Sequence, residues 1–124
     1  MTVLAELEQG SDAWRQARVG SLGASSLHEV VARTKTGWGA SRANKMSALI
    51  VERLTGVAQD FYINAAMQHG INTEPEARDA YAFFSDVEVS QGGLILHPTI
   101  IGSHASPDGL VSDDGLVEIK CGQP

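Results

Sequence analysis

Ala105-Ser106-Pro107-Asp108-Gly109-Leu110-Val111-Ser112-Asp113-Asp114-Gly115-Leu116-Val117-Glu118-Ile119-Lys120-Cys121 is the stretch on which the reading of the fold turns. Val117 to Cys121 alternates apolar with polar and includes two β-branched residues. That pattern predicts a strand with Glu118 and Lys120 on one face, and Val117 and Ile119 directed at a core. Gly109-Leu110-Val111 offers a partner strand. Ser112-Asp113-Asp114-Gly115 offers the turn, because Asp and Gly accept the positive φ angles of tight hairpins. Such a hairpin returns Asp108 to a place beside Glu118.

Two carboxylates held close repel each other, and a hard divalent cation relieves the repulsion while taking oxygen ligands. Mg²⁺ suits such a pair, since it binds through one or two carboxylates and keeps several waters. A bound metal turns one of those waters into a nucleophile by lowering its pKa. Lys120, on the same face as Glu118, can orient that water, assist its deprotonation or stabilise a pentavalent phosphate. Asp, Glu and Lys in this spacing are what a magnesium-dependent nuclease uses to cut a phosphodiester. Each piece also has a plainer reading: Pro-Asp-Gly is a common turn, and Glu-x-Lys on a strand is commonly a solvated ion pair.

The 124 residues, 43% of them hydrophobic, suit one small domain. No apolar run approaches the roughly 18 residues of a membrane span, and the N-terminus carries no signal-peptide pattern, so a cytoplasmic protein is expected. The single Cys121 excludes an internal disulfide, an iron–sulfur cluster and a cysteine-based zinc site. His28, His69, His97 and His104 lack ligand spacing and read as surface or core residues.

Net charge is −6, unfavourable for a polyanion binder if it were spread evenly. It is not: residues 1–54 hold seven Lys/Arg against five Asp/Glu, and residues 55–124 hold two against ten. Arg33, Lys35, Arg42, Lys45 and Arg53 share one stretch with Trp38. The layout fits a basic half that grips DNA and an acidic half that gathers metal, or else ordinary solvated helix faces.

Helices come first and strands last. Ser11-Asp12 caps a short helix over Ala13–Arg18 that Gly20 ends, and Ser25 or Ser26 opens a second, with Ser26 and Glu29 forming a capping box. Residues 34–40 read as a mobile loop. A third helix from about Ser41 carries Met46, Leu49, Ile50 and Leu54 on one stripe, with Gly56 past its end. From Asn64 to Phe84 the pattern is helical, but Gly70 and Pro75 leave two readings: one kinked helix, or a break with Thr73 capping a second helix. Ala77, Tyr81 and Phe84 share an apolar face in either case. Val87–Val89, Gly93–His97 and Ile100–Gly102 read as short strands. The outcome is an α+β chain, helical over 11–84, with a β meander and catalytic hairpin over 86–121.

Helices followed by a meander ending in Asp…Glu-x-Lys is the order of the PD-(D/E)xK restriction-endonuclease-like core. A narrower resemblance rests on four ordered stretches. They are Gln9 through Gly20 with Ala24-Ser25; Leu54-Thr55-Gly56-Val57-Ala58; Gly70 with Glu74, Ala77 and Arg78; and Ala105 through Leu110 leading to Glu118-Ile119-Lys120-Cys121. Over essentially the whole chain, these resemble the phage λ exonuclease or YqaJ-type viral recombinase family.

The resemblance implies a Mg²⁺-dependent deoxyribonuclease, with Mn²⁺ as the substitute metal, that digests linear duplex DNA from the 5′ end. It leaves a 3′ single strand for a phage annealing protein. It implies Asp108, Glu118 and the backbone carbonyl of Ile119 as metal ligands, Lys120 as the catalytic lysine, and Glu74 as a helix glutamate acting on the metal through water. It places the 5′-phosphate on Arg18, Ser25 and Ser106, whose plainer roles are a surface arginine, a helix cap and a turn serine. Trp14 also matches the family, but a tryptophan on a short amphipathic helix is more often core. His69 stands where the λ enzyme has a tryptophan. Family members form rings of three subunits and continue past the Glu-x-Lys strand with a covering helix and further strands, so this chain corresponds to the N-terminal portion of the domain. Two other outcomes are a shortened prophage remnant that binds DNA or a partner without cutting, and a related endonuclease of the restriction type.

Overall fold

A computed structural model of the chain describes residues 2–59 and 63–122. The part of the expected helical stretch that falls on residues 60–62 lies outside the described residues. Two compact units emerge, one built from residues 2–59 and 93–106, the other from 63–92 and 107–122.

The first unit is organised on a mixed sheet. Strand β1 (Thr2–Leu4) pairs antiparallel with β6 (Leu94–Leu96), β6 antiparallel with β7 (Ser103–Ala105), and β7 parallel with the two-residue β2 (Leu22–Gly23), giving the order β1-β6-β7-β2. Leu94 and Ile95, in the second strand of this order, form the buried apolar core of this unit among the described residues. Helix α1 (Asp12–Ala17) begins as the sequence predicts, with the Ser11 hydroxyl accepting from the Trp14 N–H at 3.2 Å.

The expected capping box is not formed. Ser26 closes a 3₁₀ turn (Ala24–Ser26) and makes no side-chain cap to α2 (Leu27–Val31), while Glu29 faces Lys45 at 3.8 Å instead. Residues 34–40 are likewise no open loop, because β3 (Arg33–Thr34) and β4 (Gly37–Trp38) pair as a hairpin. In it the Trp38 ring sits between the guanidiniums of Arg33 and Arg42, at 3.9 and 4.0 Å from its centroid. Helix α3 (Ala40–Thr55) follows and stops at Gly56, which takes φ +68° and returns its N–H to the Glu52 carbonyl. Its expected apolar stripe is only partly covered: Leu54 is 82% exposed.

Ile100–Gly102 is a turn, not the strand expected from its β-branched residues. The reason is His97, whose Nδ1 accepts from the Thr99 and Ile100 N–H groups at 3.2 and 2.9 Å and so removes them from any ladder. Arg53 ties the other end of this unit. Its Nε donates to the Gly20 carbonyl at 2.7 Å, and its side chain occupies the space where Cβ atoms on Gly20 (φ +68°) and Gly102 (φ +82°) would fall.

The second unit holds α4 (Ala65–Ser85) and an antiparallel sheet of order β5-β8-β9, from Val89–Ser90, Gly109–Val111 and Gly115–Val117. Of the two readings left open by Pro75, the single helix is the one formed, with Asn64 capping it through a 2.9 Å bond from the Met67 N–H. Tyr81 and Phe84, expected on a shared apolar face, are 42% and 84% exposed. The β8–β9 connection forms at the predicted place, but the positive φ falls on Ser112 (+53°) and not on an Asp or Gly of the turn. Strand pairing ends at Val117, short of the predicted Cys121, although alternation continues: Val117, Ile119 and Cys121 are half-buried and Glu118 and Lys120 exposed.

Gly20→Ala combines a left-handed backbone with a Cβ pressed against Arg53, and is expected to lower stability by roughly 2–4 kcal/mol, read as a shifted urea midpoint at unchanged slope. An unmoved midpoint would show that Arg53 does not fix this corner.

Candidate active site

Gly109 opens the central strand of the second unit, and its lack of a side chain is a packing requirement. A Cβ there would stand 2.5 Å from a Val89 methyl and 2.7 Å from a Val117 methyl. The resulting register pairs Gly109 with Val117, which sets the preceding Asp108 against the following Glu118. The Asp108 carboxylate then accepts the Ile119 N–H at 2.6 Å. A charged acceptor on a backbone donor makes this bond a strong link across the hairpin.

Helix α4 brings the third carboxylate. Glu74 and Arg78 are one turn apart, and Arg78 bridges: its Nη2 donates to Glu74 Oε1 at 2.5 Å and its Nε donates to the Asp108 carbonyl at 2.9 Å. Arg78 thereby fastens the helix to the backbone of Asp108. Nothing in the sequence assigns it a task at the site beyond its i,i+4 spacing from Glu74.

Charge in this cluster is imbalanced. Burial, then the nearby negative charge of Asp108, raises the Glu74 carboxyl above its ordinary range, against the opposing pull of Arg78. Burial also raises Asp108, with Glu118 adding to the rise and the Ile119 N–H opposing it. Lys120 contacts the Glu118 carboxylate, and that hydrogen bond raises the lysine and keeps it an ammonium. Glu74 and Glu118 are thus each engaged by a cation of the protein. Among the described residues no three His, Cys, Asp or Glu side chains stand ready as a closed ligand set. Mg²⁺ asks for less, one or two carboxylates with water completing the shell, and mutual repulsion between Asp108 and Glu118 is what a cation would relieve. The donor set fits such an ion. Beyond it, His69 in α4 meets the Gly122 carbonyl through Nε2 at 3.1 Å, tying the helix to the chain that follows Lys120.

Arg18, Ser25 and Ser106, expected to hold a phosphate, lie in the first unit. Arg18 is the C-cap of α1 and stacks over the Trp14 ring at 4.0 Å, while Trp14 itself donates Nε1–H to the Gly93 carbonyl at 3.3 Å. Ser25 is exposed in the 3₁₀ turn, which packs against β7. Ser106 follows β7, and its buried Oγ finds no hydrogen-bond partner among the described residues. Two residues the sequence did not single out complete this region. His104 of β7 is 6% exposed and accepts from Arg18 Nε–H at 3.1 Å, and Ser21 Oγ lies 2.8 Å from its Nδ1. Burial and the charges of Arg18 and Lys45 push His104 down to about 4. No sequence pattern marks it, since its role depends on the pairing of β7 with β2.

A family model for the YqaJ-like viral recombinase domain matches residues 13–123. The chain belongs to that family. Among solved structures, the alkaline exonuclease LHK-Exo from Laribacter hongkongensis is 50% identical, with a TM-score of 0.77 over 90% of this chain and 53% of its own. The same exonuclease solved in complex with dAMP gives 49% identity and a TM-score of 0.78 over the same shares. This YqaJ-like chain therefore spans about half the length of that enzyme. No curated protein sequence matches it. Its mixed α/β fold, with short strands before and among the helices and the remaining strands after α4, matches that of the exonuclease, and among the described residues no helix is long and apolar enough to cross a membrane.

Two outcomes follow from these charges. Asp108→Asn keeps an acceptor for Ile119 but removes a poorly solvated charge, so without divalent cation it is expected to raise the melting temperature by roughly 1–3 °C; a fall would mean the carboxylate itself stabilises the hairpin. For His104 the folded-state pKa lies below the unfolded value of 6.5, so the unfolded chain binds more protons between the two. Stability is full above pH 6.5 and falls by up to about 3 kcal/mol as pH drops toward 4. Urea titrations from pH 7 to 4 should show that loss in the native chain and a smaller one in His104→Gln.

Proposed function

We propose that this chain carries the catalytic half of a metal-dependent exodeoxyribonuclease of the phage recombination type, which hydrolyses linear duplex DNA from a 5′ end. The observation that carries the reading is the meeting of Asp108, Glu118 and Lys120 across one hairpin, with Glu74 delivered to the same cluster by Arg78. Family membership supports it, as does a relative named as an alkaline exonuclease and solved with dAMP, a mononucleotide of the kind stepwise digestion releases.

Asp108, Glu118 and the Ile119 carbonyl would hold a divalent cation, Mg²⁺ or Mn²⁺, and Glu74 would support that site through water. When bound, that ion supplies Lewis acidity toward water and a phosphoryl oxygen. The protein's own groups do the rest. Lys120, held as an ammonium, moves from Glu118 to the scissile phosphate and stabilises the charge that develops there. Arg78 keeps Glu74 and the Asp108 backbone in place. In the first unit, Arg18 offers its planar fork to a terminal 5′-phosphate, with Ser25 and the unpartnered Ser106 hydroxyl as further donors. The partner is a duplex DNA end, and the 3′ strand left behind passes to an annealing protein.

With linear, 5′-phosphorylated duplex and Mg²⁺, nucleotide release is expected and should fall at least 100-fold in Lys120→Ala, measured as acid-soluble label. Undiminished release would remove Lys120 from the chemistry. Arg18→Ala should erase the preference for a 5′-phosphate over a 5′-hydroxyl, and an unchanged ratio would remove Arg18 from the phosphate site.

A further inference from the structure

Behind Arg18 stands a line of groups that the phosphate reading does not use. An arginine Nε carries its proton at any working pH and can only donate, so Nε2 of His104, 3.1 Å away, must be the bare acceptor. The one proton of the neutral ring then sits on Nδ1 and goes to the Ser21 hydroxyl at 2.8 Å. The tautomer is thus dictated by the partners, with Ser21 orienting the ring and the ring orienting the guanidinium.

Three further contacts bear on the same guanidinium. Its plane lies over Trp14, which is itself anchored to the Gly93 carbonyl. Gly23, the neighbour of β7 in the sheet, is buried with ordinary extended backbone, so its lack of a side chain is not a conformational need. A Cβ there would stand 3.1 Å from His104 Nε2 and 3.8 Å from Arg18 Nη2, on the bond itself. The charges facing the ring are Arg18 and Lys45, both cations, which together with burial favour its neutral form. Neutrality is what the acceptor role requires.

We infer that His104 is a positioning residue: its neutral ring, oriented by Ser21, holds Arg18 by Nε so that the Nη edge is presented to a DNA 5′-phosphate. This rests on the reading of Arg18 as the phosphate ligand. An unheld arginine would lose side-chain freedom on binding, and fixing it beforehand removes that cost from the complex. Selectivity for a phosphorylated end thereby depends on a side chain that never touches DNA.

The test is binding of the chain to 5′-phosphorylated and 5′-hydroxyl linear duplexes by fluorescence anisotropy, with Ca²⁺ replacing Mg²⁺. His104→Leu should reduce the phosphate preference roughly tenfold, Arg18→Ala should erase it, and the double variant should lose no more than Arg18→Ala alone. His104→Gln, which places an amide oxygen near the Nε2 position, should retain most of the preference; a merely structural role would not separate Gln from Leu. Ser21→Ala, a milder change, should give an intermediate loss and serves if His104→Leu does not fold. A His104→Leu protein that keeps the native preference while Arg18→Ala loses it overturns the inference. Nitrogen NMR without DNA provides an independent arm: the Arg18 Nε–H should exchange slowly in the native chain and in His104→Gln, and quickly in His104→Leu. An Nε–H signal unmoved by His104→Leu overturns the positioning role alone. A native protein indifferent to the 5′ group overturns the phosphate reading, and with it the ligand named here.

Discussion

The hydrogen bond from the Ile119 N–H to the Asp108 carboxylate, 2.6 Å long, is the constraint on which the candidate site depends. It lies just beyond the last paired residues of β8 and β9, where the ladder has ended and the chain would otherwise be free to splay. Holding the two strands together there keeps Asp108 and Glu118 at a separation they would not choose electrostatically. Burial first, and the neighbouring carboxylates after it, raise both Asp108 and Glu74 above their ordinary range. The protein's own cations on these carboxylates are Lys120 on Glu118 and Arg78 on Glu74.

Arg78 and His104 play parallel parts in the two units. Each reaches from one element to another and fixes a group that would otherwise swing: Arg78 holds Glu74 and the Asp108 carbonyl, and His104 holds Arg18. They differ in chemistry because their targets differ. A carboxylate is fixed by a charged donor, whereas a guanidinium offers only donors and is fixed by an acceptor, here a neutral one that leaves its charge unmatched. That is why a histidine kept neutral by burial suits the second task and an arginine the first.

Much of the fold was legible in local chemistry. Ser11 capping α1, Gly56 ending α3 and the β8–β9 hairpin all follow from residues within a few positions of one another. Where the reading failed, a distant or competing partner had taken over. Glu29 turned to Lys45 rather than to its own helix start; His97 claimed the N–H groups of Thr99 and Ile100; and Arg33 and Arg42 closed on Trp38 to make a hairpin of an expected loop. Pro75, which locally argues for a break, sits inside a continuous α4.

By itself, the sequence determined the hairpin, its three ionisable residues and the family to which they belong, because strand alternation and turn chemistry act over short spans and the motifs lie in order along the chain. Only tertiary structure decided that Arg78 would bridge Glu74 to Asp108, that Ser106 would bury a hydroxyl with no partner among the described residues, and that His104 would stand behind Arg18. The physical reason is separation along the chain. Arg18 and His104 meet because β7 lies beside β2, across eighty-six positions of sequence, and no local preference of either residue encodes that meeting.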